Sequence, residues 1–508
     1  MTRRTATPAL LGLLLLGLAA AAEARPGGGH SYSGGGSHSY SSSSHSSGGG
    51  GGGFSFGGSS SSSSSSSSGD TSPLELVLLV VACGAILALQ AVFKSEEQDS
   101  GDFGGGAVFH APAPAPAPTA RTGPQVYEVV RRTDPEFSAV LFEDFVYALY
   151  ARVHGARNDP AALAALAPYV AADSRAALAR REPRGVAIHG VVIGRMEALK
   201  LERDGGDLRV ELEFESNYTA ELPGGARGYY VRERWTLARA EDAQTRAPAA
   251  VYSFHCPACG APYQRSDAGT CSHCGQQVED GRFDWQVRSV RLYDHEPRPP
   301  ALTGDVAERG TGLPTVVDRA LRGRHAALLA EDPHTTELDV ERRLHDIYHT
   351  LNDAWTACDL RPVRPFVSDS MFNYLSYWID AYRAQGLRNV LKDMEISRVQ
   401  LVKLIRDRHF DALTVRIWAT GLDYTEDAQG RRVAGNARSK RAYSEYWTLI
   451  RGASVRGVSR DPAKCPSCGG PLDRVNMAGN CEYCGAHLTR GEFDWVLGKI
   501  QQDESYTG

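Results

Sequence analysis

A strong net charge and the short motifs of common enzymes are both missing from this sequence. Its 55 basic and 60 acidic residues among 508 leave a net charge of −5, so no global basic field marks it as a nucleic-acid-binding protein. It contains no phosphate-binding glycine-rich loop, no HExxH and no GxSxG. These absences argue against an enzyme and favour a binding role.

Lysine and arginine are also missing between Pro26 and Pro73, although both neighbouring segments contain them. Residues 1–24 combine two arginines, a short apolar run and an Ala-Glu-Ala ending, which predicts a secretory signal peptide. The alternative is a short uncleaved anchor. Residues 25–72 are rich in Gly, Ser and His and have too few apolar side chains to form a core, so we expect disorder there.

Residues 73–94 contain the longest apolar stretch of the chain, "LELVLLVVACGAILALQAVF". Twenty residues in a helix just cross the hydrocarbon core of a bilayer, so the stretch predicts one transmembrane helix. Because the nearest basic residues all follow it, we expect the C-terminal part of the chain in the cytoplasm. Residues 95–124 form a Pro/Ala/Gly-rich linker whose "APAPAPAP" run predicts an extended spacer.

Eight of the ten cysteines form two sets of paired Cys-x-x-Cys motifs, and a glycine follows each pair. A glycine at that position lets the backbone turn so that amides face the sulfurs, and two such turns supply four thiolates for a metal. The sequence therefore predicts two structural zinc ribbons, at 254–277 and 463–487. Disulfides, a redox pair and an iron site are the alternatives. The predicted ligands are Cys256, Cys259, Cys271, Cys274, Cys465, Cys468, Cys481 and Cys484.

The resemblance between the two cysteine sets extends to the sequence around them. "RERWTLAR" (232–239) precedes the first set and "SEYWTLIR" (444–451) the second, and each set leads into Phe-Asp-Trp. Earlier segments alternate apolar and polar residues, as in "LRVELEF" (208–214) and "LTVRIWA" (413–419), which predicts half-buried antiparallel strands. Helical stripes precede the strands in both halves, and Asp134-Pro135 is expected to cap the first helix.

Together these patterns predict an α+β chain with two tandem copies of one unit. The first copy covers residues 125–295 and the second 335–502, with a linker at 296–334. In each copy the ribbon is inserted between two strands, so that a metal would close a long loop.

Two segments, "FSAVLFEDFVYALYARVHGARNDPAALAALAPYVAADS" and "ERRLHDIYHTLNDAWTACDLRPVRPFVSDS", together with the strands ending in "RERWTL" and "SEYWTL", carry a family resemblance. They resemble the bacterial relatives of the C-terminal domain of the mitochondrial inner-membrane import-translocase subunit 44. The resemblance implies a cone-like, nuclear-transport-factor-2-like fold with helices over a curved antiparallel sheet around an apolar hollow. It also implies binding at a bacterial inner membrane rather than catalysis. The mitochondrial family lacks the ribbons and the serine tract, so its role in import does not carry over.

Two glutamates lie two residues before repeated tryptophans and so share a strand face with them. In a cone-like fold such a carboxylate could face a ligand cavity, whereas the alternative is a structural glutamate paired with an arginine of the covering helices. The tryptophans could line the same cavity or simply form the core. The candidate cavity residues are Glu233, Trp235, Trp285, Glu445, Trp447 and Trp495.

Two other segments have more than one interpretation. The basic segment 429–441 is interpreted as a solvated hairpin tip or a contact for lipid headgroups or RNA. The segment 371–385 has apolar residues at helical spacing, and it could pack on the sheet or bind a membrane or partner.

The sequence thus favours a non-enzymatic scaffold anchored in the lipid bilayer by one helix. Its domains would bind a protein, peptide or lipid at the cytoplasmic face of a bacterial inner membrane. A small-ligand-binding or enzymatic cone domain is the first alternative. The second is nucleic-acid binding through the ribbons, against which their few basic residues argue.

Overall fold

The computed structural model describes residues 126–251, 253–298, 302, 308, 310–457, 461 and 463–508. The predicted signal peptide, serine tract, transmembrane helix and linker at 95–124 lie outside these residues. Within the part of the chain that the structure describes, no helix is both long and apolar enough to cross a bilayer.

The first repeat places helices before and beside a four-stranded antiparallel sheet with the order β1-β2-β3-β4. The helices are α1 (Val126–Arg131), α2 (Ala139–Ala156), α3 (Pro160–Ala165), α4 (Ala172–Ala179) and, after the third strand, α5 (Pro248–Val251). The strands are β1 (Ile188–Asp204), β2 (Asp207–Leu222), β3 (Gly225–Ala240) and β4 (Gln286–Glu296).

The second repeat has the same arrangement, with sheet order β5-β6-β7-β8. Its helices are α6 (Leu321–Glu331), α7 (Glu337–Thr356) and α8 (Asp369–Ala384). Its strands are β5 (Leu387–Arg406), β6 (Phe410–Asp427), β7 (Arg432–Gly452) and β8 (Val496–Gln502). The predicted α+β class with two antiparallel sheets is therefore confirmed.

Alternation of apolar and polar residues explains the central strands. Leu208, Val210, Leu212 and Phe214 of β2 are all at most 1% exposed, because successive side chains of a strand point to opposite faces. The strands extend beyond the segments that the sequence predicted, and register shifts interrupt the β1–β2 and β5–β6 ladders. Such irregularities bend a sheet. The helices pack on the apolar face of each sheet.

The long helix of each repeat begins at a hydroxyl cap. Ser138 accepts a hydrogen bond from the Leu141 amide at the start of α2, and Thr336 forms a capping box with Asp339 at the start of α7. The prediction that Asp134 caps this helix is therefore wrong, because α2 begins five residues after Asp134. The role that Asp134 has instead is described below.

The apolar faces of the helices form a core with each sheet. Phe142, Phe145 and Leu149 of α2 lie in one hydrophobic cluster with the buried residues of β2 and β3. The second repeat has an equivalent cluster. It includes all five residues that formed the helical pattern in 371–385, namely Phe372, Leu375, Trp378, Ile379 and Tyr382. That segment is thus α8, packed on the sheet.

The two repeats contact each other directly. Val192 and Tyr230 of the first repeat belong to the hydrophobic cluster of the second. Lys499 of β8 donates to Glu143 of α2 at 2.8 Å, with both side chains mostly buried. The contact is therefore both apolar and charged.

Candidate metal centres

Each of the two cysteine sets lies in the connection between the third and fourth strands of its repeat. In all four Cys-x-x-Cys-Gly turns, the glycine amide donates to the carbonyl of the first cysteine at 2.8–2.9 Å. In each turn the amide of the first cysteine donates to the carbonyl of the residue after the glycine, which closes a tight knuckle. The glycines Gly260, Gly275, Gly469 and Gly485 all have φ between +73° and +75°. A residue with a Cβ has a higher conformational energy than glycine in that region of φ.

The four sulfurs of each set are close enough to share one ion. All Sγ atoms of a set lie within 4.8 Å of one another, and the closest pairs, such as Cys256–Cys274 and Cys468–Cys481, are 3.9 Å apart. Four thiolates at ~2.3 Å from a central zinc would be about 3.8 Å apart. The cysteines are not joined as disulfides. The donor set therefore fits a four-thiolate metal site.

Backbone amides favour the thiolate form that binds a metal. The amide of Ala486 lowers the pKa of the Cys484 thiol, and burial, which raises the pKa of Cys271, is outweighed by amides of Cys274 and His273. At Cys256 and Cys465 burial outweighs the amides, and the pKa of each thiol is raised. Such hydrogen bonds are what the glycine turns were predicted to provide. Cys358 lies apart from both sets, just after α7, at a φ of +53°.

The first four-cysteine unit is attached to the helices of its repeat. The hydroxyl of Tyr169 donates to the carbonyl of His255 at 2.5 Å, one residue before the first ligand. Phe254 stacks on Phe145 of α2, with ring centroids 5.5 Å apart. Arg175 of α4 approaches Glu279 at 3.8 Å. The unit is therefore held by an aromatic contact and an ion pair.

The second unit is attached at the N-terminus of α8. Arg364 donates through Nε to the carbonyl of Met477 at 2.9 Å, and Thr489 donates to Asp369 at 2.8 Å. His487 lies between Asp369 and Glu492 at 3.6 and 3.7 Å. Burial opposes a charge on His487, but these two carboxylates outweigh it and raise its pKa. The His487 imidazolium is therefore stabilised where the unit meets the helix.

The tryptophans of the predicted cavity are core residues of the two repeats. Trp235, Trp285, Trp447 and Trp495 are each at most 4% exposed and belong to the two main hydrophobic clusters. In both Phe-Asp-Trp motifs the aspartate accepts a hydrogen bond from the tryptophan amide. That bond fixes the chain where it returns from the cysteine unit to the sheet. These contacts favour the core interpretation, and a ligand role stays a prediction.

The two candidate glutamates are fully buried and have different partners. Glu233 accepts from His154 at 2.7 Å and from Arg181, and although burial opposes its charge, these two partners lower its pKa to about 2. Glu445 accepts from the indole of Trp447 at 2.9 Å and from Gln502 at 3.2 Å. The first repeat therefore contains the expected arginine partner, Arg181.

A buried ion pair that the sequence analysis missed occurs in both repeats. Arg239 at the end of β3 donates to Asp134 at 2.9 Å, and Arg451 of β7 donates to Asp332 at the same distance. All four side chains are at most 1% exposed. The signal was available, because an Asp-Pro dipeptide precedes both long helices and an arginine ends both strand motifs.

The aspartate of each pair also fixes the chain that leads into the cysteine unit. Asp134 accepts from the amide of Thr245, and Asp332 from the amide of Gly457. The pairs therefore connect three segments of each repeat, namely the start of the helices, the third strand and the approach to the metal site.

Comparison with known proteins matches only part of this chain. No curated protein matches it. Among solved structures, one titled "Ntf2 like protein involved in plasmid conjugation" aligns with 71% of this chain and 92% of its own, at 6% identity and a TM-score of 0.17. A TM-score that low carries no argument about fold or function.

A family match covers the helices and the first three strands of the second repeat. Residues 324–460 match the family described as Tim44-like domain. The match runs from α6 to just beyond β7 and ends before Cys465, so it excludes the second cysteine unit. This agrees with the expectation that the family lacks the cysteine ribbons. The relationship to the Tim44-like family that the sequence suggested is therefore confirmed, over residues 324–460.

Proposed function

We propose that this protein is a membrane-anchored scaffold whose two tandem units bind a partner protein, peptide or lipid at the cytoplasmic face of a bacterial inner membrane. The proposal rests on the Tim44-like match of the second repeat and on the first repeat's similar arrangement of helices, sheet and four-cysteine unit. Tim44-like domains are generally binding domains rather than catalysts. As part of this proposal, each unit has the cone-like shape that the family resemblance implies.

Both four-cysteine sets are assigned to structural zinc in this account. The ligands would be Cys256, Cys259, Cys271 and Cys274 in the first unit, and Cys465, Cys468, Cys481 and Cys484 in the second. Four thiolates complete the tetrahedral shell of zinc and leave no position for a substrate, so the ion would supply folding energy rather than chemistry. Iron bound by the same sulfurs is the alternative.

A non-catalytic role agrees with the environment of the charged residues. The buried ion pairs Arg239–Asp134 and Arg451–Asp332 connect segments within each repeat. In the first cysteine unit Arg265 is paired with Glu279, so little free positive charge remains there for a nucleic-acid backbone. The basic segment 429–441 is mainly the exposed start of β7, with Arg431 paired to Asp427.

Membrane fractionation followed by partner capture tests the proposal. The full-length chain with a C-terminal tag should stay in the bacterial membrane after an alkaline wash, and its tag should be cleaved by protease only in inside-out vesicles. A variant lacking residues 73–94 is the matched control and should become soluble. Crosslinking in cells should then capture the same partner with the full-length protein and lose it with the soluble variant. A wild-type chain released by the wash, or a tag cleaved in intact spheroplasts, would contradict the proposal.

A further inference from the structure

The first repeat contains a buried cluster of charged residues behind its sheet. Its members are His154 of α2, Arg157 at the C-cap of that helix, Arg181 beyond α4, Tyr218 of β2 and Glu233 of β3. His154 Nε2 lies 2.7 Å from Glu233, and Arg157 lies 3.5 Å from His154 Nδ1. The hydroxyl of Tyr218 accepts from Arg157 at 2.9 Å. All of these side chains except Arg181 are at most 2% exposed.

The positive charge of Arg157 is not balanced by an acid. Among the described residues, Glu233 is the carboxylate of the cluster, and it bonds His154 and Arg181 rather than Arg157. Arg157 instead donates to neutral acceptors, the carbonyl of Glu182 at 3.2 Å and the Tyr218 hydroxyl, and its Nε has no partner. A buried guanidinium with only neutral acceptors costs desolvation energy that a second anion would offset.

The neighbouring histidines do not change this imbalance. Burial, followed by Arg157 and Arg181, lowers the pKa of His295 to about 4, and burial also lowers the pKa of His154. Both rings are therefore neutral near pH 7. Two guanidinium groups then face one carboxylate, which leaves one uncompensated positive charge inside the repeat.

The second repeat shows that the architecture does not require these charges. Counting from the caps Ser138 and Thr336, the positions of His154 and Arg157 are occupied in the second copy by Asn352 and Trp355. Counting from the equivalent bridges at Val170 and Val367, the position of Arg181 is occupied by Trp378. Trp355 and Trp378 are 1% and 4% exposed and belong to the core.

The sheets of the two repeats also differ at the position of Tyr218. Tyr218 pairs across the ladder with Tyr229, and the corresponding pair in the second repeat is Gly421 with Arg441. A Cβ at Gly421 would lie 2.0 Å from the sulfur of Met394, so an apolar side chain fills that space. Apolar replacement of buried ionic groups is often neutral or stabilising, so stability alone does not explain the charged version.

We propose that the cluster around Arg157 and Arg181 in the first repeat is a binding site for one carboxylate group. Arg157 would exchange its neutral acceptors for a charge-assisted, bidentate contact, the geometry that a guanidinium fork provides. The strap of residues 182–187 is largely exposed, and it contacts the cluster through the carbonyl of Glu182, which accepts from Arg157. The carbonyls of Pro183 and Val186 accept from the neighbouring Asn158. The ligand enters past this strap. The second repeat, with tryptophans at the equivalent positions, has no such site.

Equilibrium dialysis of the purified full-length protein with labelled benzoate tests this site. The wild type should take up one benzoate per chain with saturation, in a buffer whose ionic strength is held constant with sodium chloride. Arg157→Trp, which copies the second repeat, and Arg157→Gln should abolish that uptake. Arg203→Gln, which removes an exposed arginine of the same repeat, should bind like the wild type. Metal content and circular dichroism establish that each variant is folded.

A second pair of ligands distinguishes the source of the carboxylate. A tetrapeptide with a free C-terminus should compete with benzoate, and its C-terminal amide should not, if the natural ligand is a peptide end. If benzoate binds and neither peptide competes, the site takes a free organic acid. No saturable uptake by the wild type, or equal uptake by Arg157→Gln, would overturn the proposal. Neither result depends on the membrane anchor or on the scaffold role.

Discussion

At the scale of single residues, sequence patterns located Glu233 but missed most of the other buried charges and their partners. Glu233 was recognised from its position before a repeated tryptophan, and an arginine partner was expected from the helices. Arg181 is that partner, whereas His154 could not be assigned because nothing in the sequence fixes the rotation of α2. Asp134 was expected to cap a helix, since Asp-Pro is typical of that position. The arginine that binds it lies more than a hundred residues away, so only a comparison of the two repeats could have indicated the pair.

The paired aspartates should be among the most sensitive positions of the chain. Asp332→Ala leaves the guanidinium of Arg451 buried without its charge partner, and we expect a loss of about 3–5 kcal/mol in the free energy of unfolding. Denaturant titration followed by tryptophan fluorescence measures this loss. Asp359→Ala is the control, because it removes an ion pair with the exposed Arg361 and should cost less than about 1 kcal/mol. Equal effects of the two substitutions would contradict the structural role of the buried pair.

Glu233 should make the stability of the first repeat depend on pH. Its pKa is lowered from 4.5 to about 2 in the folded protein, where burial opposes its charge but His154 and Arg181 stabilise it. The stabilisation is therefore present above about pH 4.5 and is lost as the pH falls towards 2. In Glu233→Gln the free energy of unfolding should be lower at pH 7 and should fall less steeply between pH 5 and 3. Parallel pH profiles for the two proteins would rule out this contribution.

At the scale of secondary-structure elements, strands were easier to predict than helices. Alternation identified β2 and β6 because one face of each is buried, but it did not reveal the full length of the strands or their bulges. The start of α2 was misplaced because Ser138, a good capping residue, lies only four positions after Asp134. The cysteine units were predictable in detail, since their turns depend on local spacing and on glycines with positive φ.

The glycine of a knuckle should influence metal affinity without contacting the metal. Gly469→Ala places a Cβ at a φ of +74°, which costs ~1–2 kcal/mol of backbone strain and should weaken zinc binding by roughly 5–30-fold. Competition with a chromogenic chelator measures the affinity. Gly224→Ala provides the matched control, because that glycine has an ordinary φ and no neighbour within 4 Å of the added Cβ. An unchanged affinity in Gly469→Ala would mean that the turn does not shape the site.

At the scale of the whole molecule, duplication was the feature that the sequence revealed best. Two cysteine sets and two Trp-bearing strand motifs align without any structure. The contact between the copies could not be predicted, because its residues follow no shared pattern. Val192 and Tyr230 simply join the core of the other repeat. The first repeat has a charged interior, whereas tryptophans fill the interior of the second. This difference also could not be predicted, because it depends on how the helices of the two repeats align.

The ion pair between the repeats should contribute to their association. Lys499 and Glu143 are each less than a third exposed and lie 2.8 Å apart, so a double-mutant cycle with Lys499→Met and Glu143→Gln should give a coupling of about 0.5–1 kcal/mol. Arg383 and Asp380, an exposed pair on α8, serve as the reference and should give a coupling near zero. Denaturant unfolding of the full-length chain supplies the four free energies of each cycle. A coupling near zero for Lys499 and Glu143 would leave the apolar contacts as the source of the association.

The most direct test of the account is to measure metal content and free thiols on the same sample of the full-length protein. Elemental analysis should find two zinc ions per chain, and thiol titration in denaturant with a chelator should find all ten cysteines reduced. That result would establish both four-thiolate sites and would support a reducing, cytoplasmic location for the tandem units. A chain without metal and with four disulfides would contradict the account, because it would place these units in an oxidising compartment outside the cytoplasm.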